Sequence, residues 1–245
     1  MDDRARRILM EIDVDNQVGL EIGPLDKPLV KRESGRQIFY ADYSHRDALV
    51  QASIGDPNVN TSLIPTIDYI LALMPEYKDR SFDYIVASHV GEHVPDFIGW
   101  TKTLLALPDK RYTFDCYRTE STAGDMIEAH LERRSRPPVS SIYDGFSKAV
   151  HADAWYLWEG VEPPAPFEIM FTKRQAFSLA ENALRTGVYR DCHCWVFTAD
   201  RFREILDEVA SLGLIEYEWV GFTPPTKYMI EFYVMLGRAS GSYNA

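Results

Sequence analysis

The stretch "ASHVGEHVPD" sets His89, Glu92 and His93 in the order His-x-x-Glu-His. Inverted zinc peptidases use that order, with two imidazoles on the metal and a carboxylate working on water. Such a centre needs both histidines on one stable helical face and a third ligand besides. Gly91 and Pro95 interrupt the stretch, and it directly follows an apolar run. No metal is therefore expected, and zinc hydrolysis through His89, Glu92 and His93 is the weakest of three functional readings. A second reactive group is "YRDCHCW", with His193 between two cysteines. Histidine titrates near neutrality and suits proton transfer, so His193 is the first candidate general base and His89 the second. Asp191 is close enough in sequence to orient His193, whose alternative fate is packing against Trp195. Asp109 is the fallback for the same step. Carboxylates also stand at or near the ends of apolar runs: Glu21, Asp42 and Asp68.

The elements that must position these groups alternate between short apolar runs and longer amphipathic stretches, as strands and crossover helices do. Strands are predicted at "VGLEIG" (18–23), "QIFYAD" (37–42), "LIPTIDY" (63–69), "FDYIVAS" (82–88) and "TLLALP" (103–108). The third is the weakest, since Pro65 removes a ladder donor. Thr198 is a suitable N-cap for "ADRFREILDEVASLG", whose Phe202, Ile205, Leu206 and Val209 share one face, and Gly213 ends that helix. "LIEYEWVGF" and "MIEFYVMLGR" then read as an antiparallel hairpin across "TPPTK". The expected fold class is α/β, Rossmann-like, a mainly parallel seven-stranded sheet finished by that hairpin. Residues 1–245 are read as one domain, with 109–196 an insertion or lid on the carboxyl edge of the sheet. The insertion contains helical patches at "STAGDMIEAHLERR" and "QAFSLAENALRTG". His130 and His151 within it read as surface or packing residues. Trp155, Tyr156 and Trp158 read as core, or as a lid over an apolar or sugar substrate.

Composition narrows the partners. With 26 basic and 37 acidic residues the net charge is −11, which repels phosphate backbones, so no nucleic-acid partner is expected. The one basic cluster, Arg133, Arg134 and Arg136, reads as a solvated helix end. Cys116, Cys192 and Cys194 are few, and the last two are badly spaced for a mutual disulfide. The charged N-terminus is unlike a signal peptide, and no run of about 18 apolar residues occurs, so no membrane partner and a cytoplasmic location are expected. A homodimer is left open.

In open parallel sheets a ligand lies beyond the carboxyl ends of the strands. Asp42 stands 19 residues after Gly23, near the ~20 expected of an acid that binds a ribose diol. The loop "EIGPLDKP" has one glycine where a dinucleotide fingerprint needs three, which disfavours NAD and FAD. Together, "LEIGP" (20–24), Asp42, Asp68, "FDYIVASHVGEHVPD" and the terminal hairpin resemble the class I S-adenosylmethionine-dependent methyltransferases. They resemble in particular a type 11-like, bacterial small-molecule and glycan-associated group. The resemblance spans most of 18–108 and 198–238. It implies S-adenosylmethionine as cofactor, with Glu21, Gly23 and Pro24 by the methionine portion, Asp42 on the ribose and Asp68 by the adenine. Ser88 and His89 would line the floor of the site. It also implies that "EHV" opens the helix returning to the fifth strand.

The resemblance implies methyl transfer to a small molecule or saccharide, most naturally at oxygen. Asp109, Lys110, Arg111 and Tyr112 follow the fifth strand, where acceptors approach, and either touch substrate or anchor the insertion. One departure favours a rival reading, a protein that binds the cofactor without turnover. Only "HVGEHVPDFIGWTK" joins the fourth strand to the fifth, barely enough for a parallel crossover. Either its helix is trimmed to about two turns, or residues have been lost there.

Overall fold

The computed structural model describes residues 3–9, 12–32, 35–71, 82–100 and 104–237. A short helix α1 (Asp3–Ile8) precedes β1 (Val18–Ile22), β2 (Gln37–Asp42) and α2 (Arg46–Ala52). Then come β3 (Tyr69–Ile70), β4 (Tyr84–Ser88), α3 (Phe97–Trp100) and β5 (Leu104–Pro108). Helices α4 (Ala123–Leu131), α5 (Val139–Lys148), α6 (Ala154–Glu159), α7 (Lys173–Thr186) and α8 (Ala199–Ser211) follow, before β6 (Glu218–Thr223) and β7 (Glu231–Gly237). The strands form one sheet in the order β3-β2-β1-β4-β5-β7-β6. The pairs β1–β2, β1–β4, β2–β3 and β4–β5 are parallel, and β6–β7 is antiparallel. This is the Rossmann-like α/β architecture expected from the sequence. No described helix is long and apolar enough to cross a membrane.

Among the described residues, those up to Val90 together with 104–106 form one compact unit, and 91–100 with those from Leu107 onward form a second. In the N-terminal unit the central strands are buried on both faces, as parallel strands must be when helices cover them. Leu20, Glu21 and Ile22 of β1, and Val86 and Ala87 of β4, are all buried. Two expectations shift here. The run 63–69 is not a strand: Thr61–Leu63 is a 3-10 turn, and the strand begins only at Tyr69. Pro65 cannot donate to a ladder, and pairing starts once the chain has passed it. Asp68 therefore precedes β3 instead of following it.

In the C-terminal unit, "GEH" (91–93) is a separate 3-10 turn and not the start of the crossover helix. The helix itself, α3, is described over Phe97–Trp100. Gly91 explains the tight turn: a Cβ there would sit 2.9 Å from Leu107 and 3.2 Å from Phe97. The described residues of α3 are held by burial. The Phe97 ring meets Phe202 at 5.8 Å and Phe197 at 6.3 Å, and Phe202 meets Phe232 at 5.4 Å. Each buried ring of this kind contributes roughly 1.5–3 kcal/mol. Helix α8 begins where expected, with Thr198 Oγ1 accepting from Arg201 N–H, and its Phe202, Ile205, Leu206 and Val209 are buried. The stretch 109–196 is mainly helical. Capping boxes start α4 (Thr122 with Asp125) and α7 (Thr172 with Gln175), and α5 packs on α7.

Candidate functional site

At the carboxyl end of β1 the chain turns at Gly23, whose φ of +67° lies in the left-handed region. A Cβ there would also come within 2.6 Å of Val90 Cγ2, so backbone geometry and space both demand glycine. The loop that follows is held by Glu21. This side chain is 3% exposed, and its two oxygens accept from Leu29 N–H (2.8 Å) and Val30 N–H (3.0 Å). Burial pushes its carboxyl up to about 7, although both amides and the charge of Arg4 pull the other way. Glu21 thus shapes the loop around the buried Pro24.

Asp42 closes β2, and it is 6% exposed. Its Oδ1 accepts from Tyr43 N–H at 2.7 Å. Burial raises its carboxyl to about 6, and the one amide offsets only part of that. A buried acid held by a single main-chain donor has acceptor capacity left for a ligand. Asp68 is placed differently. It accepts from Tyr40 N–H at 2.7 Å and from Arg32, which ties the end of β2 to the segment before β3. Ser88 ends β4 and receives a hydrogen bond from Arg4 of α1, a contact that the charged N-terminal sequence did not signal. His89 adopts φ +54° and donates its N–H to Ala106 O at 2.9 Å. The carboxyl ends of β1, β2 and β4 therefore carry Gly23, Asp42, Ser88 and His89 in one unit.

The C-terminal unit holds a second cluster. His193, 8% exposed, places Nδ1 2.5 Å from Asp115 Oδ2, and Arg118 donates to both Asp115 (3.1 Å) and the His193 carbonyl (3.0 Å). Asp191, the orienting acid expected from its nearness in sequence, instead faces His93 Nδ1 at 3.0 Å. Residues 191–193 are not a strand, and Asp115, not Asp191, lies against the His193 ring. Burial pushes the Asp115 carboxyl up, and the bonds and charges of His193 and Arg118 more than reverse it, leaving it below the usual range. The Nε2 atoms of His93 and His193 lie 4.0 and 3.9 Å from Glu92 Oε1, and Glu92 is fully buried. Sequence reasoning missed Asp115 and Arg118, since nothing local in "YTFDCYR" announces a partner 78 residues further on.

Asp109 is spent on structure. It is fully buried, chelated by Arg111 Nε (2.9 Å) and Nη2 (2.7 Å), and it also accepts from the backbone of Arg111 and Ala199. Lys110 donates to Cys116 O, and Tyr112 stacks on Trp158 at 3.8 Å, so this segment anchors the helical region. Of the aromatic trio, Trp158 also donates to Met229 O, whereas Trp155 is 48% exposed. His130 pairs with Asp96 at 3.1 Å. Arg134 pairs with Glu128 and Glu132, and Arg136 donates to Gly187 O. The three cysteines are free thiols, and burial pushes that of Cys192 up to about 12. A cleft of about 310 Å3 in the same unit is lined by Arg118, Ser121, Arg134, Ser141, Asp144 and Trp195 among others.

No protein-family model matches the sequence, and no curated protein matches it. Among solved structures, the chain is similar to a Rhodobacter sphaeroides protein described as a Zn-dependent alcohol dehydrogenase. The identity is 14%, the match covers 98% of this chain and 91% of that one, and the TM-score is 0.49. The N-terminal domain of EvdMO1, solved in the presence of SAH and D-fucose, is 15% identical over 98% of this chain and 84% of that one, with a TM-score of 0.40. The CurJ carbon methyltransferase is 11% identical over 94% of this chain and 51% of that one, with a TM-score of 0.38. Likenesses this distant carry no functional argument, which rests on the chain's own residues.

Proposed function

We propose that the protein binds S-adenosylmethionine and transfers its methyl group to a hydroxyl of a small polar molecule or saccharide. The observation that carries this is Asp42, a buried acid at the carboxyl end of β2, beside a β1 strand that ends in the left-handed turn at Gly23. A ribose diol offers two hydroxyl donors, and a charged acceptor in a dry setting binds them strongly. The single-glycine loop suits a nucleoside without phosphates better than a dinucleotide. Ser88 and His89 would form the floor, Glu21 holds the loop, and Asp68 would act through the β2 end that it braces.

The reaction is an in-line displacement. The acceptor oxygen forms a bond to the methyl carbon as the carbon–sulfur bond breaks, its electron pair returns to sulfur, and S-adenosylhomocysteine leaves. The hydroxyl proton must go elsewhere, and His89, which follows β4 in the same unit as Asp42, is the imidazole asked to promote its loss. Calorimetric titration with S-adenosylhomocysteine tests the cofactor, with one site per chain expected. Transfer of labelled methyl from S-adenosylmethionine to a panel of sugars and hydroxylated small molecules tests the reaction. Binding without transfer to any acceptor would favour the rival of a non-catalytic binding protein, and no binding would end both.

A further inference from the structure

We propose that Glu92, His93 and His193 bind one divalent first-row transition-metal ion. Each residue offers one ligand atom, and the three atoms lie within 4.8 Å of one another. The two Nε2 atoms stand 4.0 and 3.9 Å from Glu92 Oε1, too far for hydrogen bonds, which run to about 3.2 Å. Around a tetrahedral ion with ligand bonds of about 2.0–2.1 Å, ligand atoms sit roughly 3.3 Å apart. Closing the gap takes side-chain shifts on the order of an ångström.

The rings are already turned for this. His93 Nδ1 faces Asp191 at 3.0 Å and His193 Nδ1 faces Asp115 at 2.5 Å. A carboxylate behind Nδ1 holds the proton there and leaves the Nε2 lone pair for a metal, the arrangement found behind most metal-bound histidines. The backbone holds the two segments together. Cys194 N–H (2.7 Å) and Trp195 N–H (3.1 Å) both donate to Glu92 O, and Trp195 Nε1 donates to Val94 O at 2.6 Å. Arg118 fixes the His193 carbonyl. Two imidazoles with one carboxylate select zinc or a neighbouring transition ion over calcium or magnesium, and they leave a coordination position open. An oxygen ligand taken there, water or a hydroxyl of a bound molecule, would lose its proton more readily.

Metal binding is independent of the methyl-transfer reading, and its test reads metal alone. The intact protein, stripped with a chelator, is titrated with zinc(II) against a chromogenic competitor. One equivalent per chain is expected to bind with a micromolar or tighter dissociation constant. His193→Ala and His93→Ala should each weaken it at least a hundredfold, Asp115→Asn roughly tenfold to a hundredfold, and His89→Ala should leave it unchanged. Since His193 is buried, circular dichroism checks its variant. If that variant does not fold, the half-exposed His93 decides the matter. Failure of the wild type to bind zinc(II), cobalt(II) or manganese(II), or binding insensitive to His93→Ala, overturns the proposal. So does binding that depends on His89 in place of His193.

Discussion

Asp42 is the residue on which the cofactor reading turns, and its burial makes a pH-dependent prediction. Its carboxyl is raised to about 6, and only the ionised form accepts both hydroxyl hydrogens of a ribose. Affinity for S-adenosylhomocysteine should therefore be full above about pH 7 and fall about tenfold for each unit below about 6, as protonation competes with binding. Asp42→Asn should bind roughly tenfold to a hundredfold more weakly at pH 8, the cost of one charge-assisted bond of about 1.5–3 kcal/mol. It should also lose the step near pH 6. Calorimetry of both proteins at pH 5, 6, 7 and 8 measures this. A step that survives in Asp42→Asn would assign the titration to another group and remove the ribose role.

At the scale of elements, the turn after β1 makes the sharpest demand on sequence. Gly23→Ala puts a Cβ 2.6 Å from Val90 Cγ2 and forces an L side chain to hold φ +67°. The backbone term alone costs on the order of 1–2 kcal/mol. The expected outcome is a lower urea midpoint together with loss of measurable S-adenosylhomocysteine binding, because the loop cannot move away from Val90 without releasing Leu29 and Val30 from Glu21. A variant that binds normally would show that this turn does not shape the cofactor site. In α3, Phe97 is fully buried among Phe197 and Phe202, so aromatic packing stabilises the crossover.

For the molecule as a whole, the acids buried at the strand ends make stability depend on pH in an unusual direction. Glu21 and Asp42 titrate at about 7 and 6 in the folded chain, above their ordinary values of 4.5 and 3.8. Between those limits the folded state holds more protons than the unfolded one, so the contribution of these two groups is full below about pH 4 and is lost as pH rises through 6 and 7. The limiting slope is about 1.4 kcal/mol per pH unit for each linked proton. Urea midpoints measured at pH 5 and pH 8 should fall toward the alkaline value, and the fall should be smaller in Asp42→Asn. An equal fall in the variant would mean that Asp42 is not buried in solution as it is here.

Much of the fold was legible in local pattern. β2 and the start of α8 lie where alternation and capping put them, because side-chain period and N-cap chemistry act over a few residues. The order Gly23, Asp42, Ser88 was legible for the same reason: parallel strands of known direction bring their carboxyl ends to one edge. Tertiary structure alone decided the partners. Asp115, not the adjacent Asp191, meets His193; Asp109 is consumed by Arg111 and Ala199; and Glu92 and His93 find His193, 101 and 100 positions away, instead of answering to the spacing of His89. That spacing speaks against a metal because Gly91 and Pro95 interrupt the helical face that His89 and His93 would share. A 3-10 turn locked by main-chain bonds to Cys194 and Trp195 instead sets Glu92 and His93 beside His193, and such closure depends on packing that no short window of sequence contains.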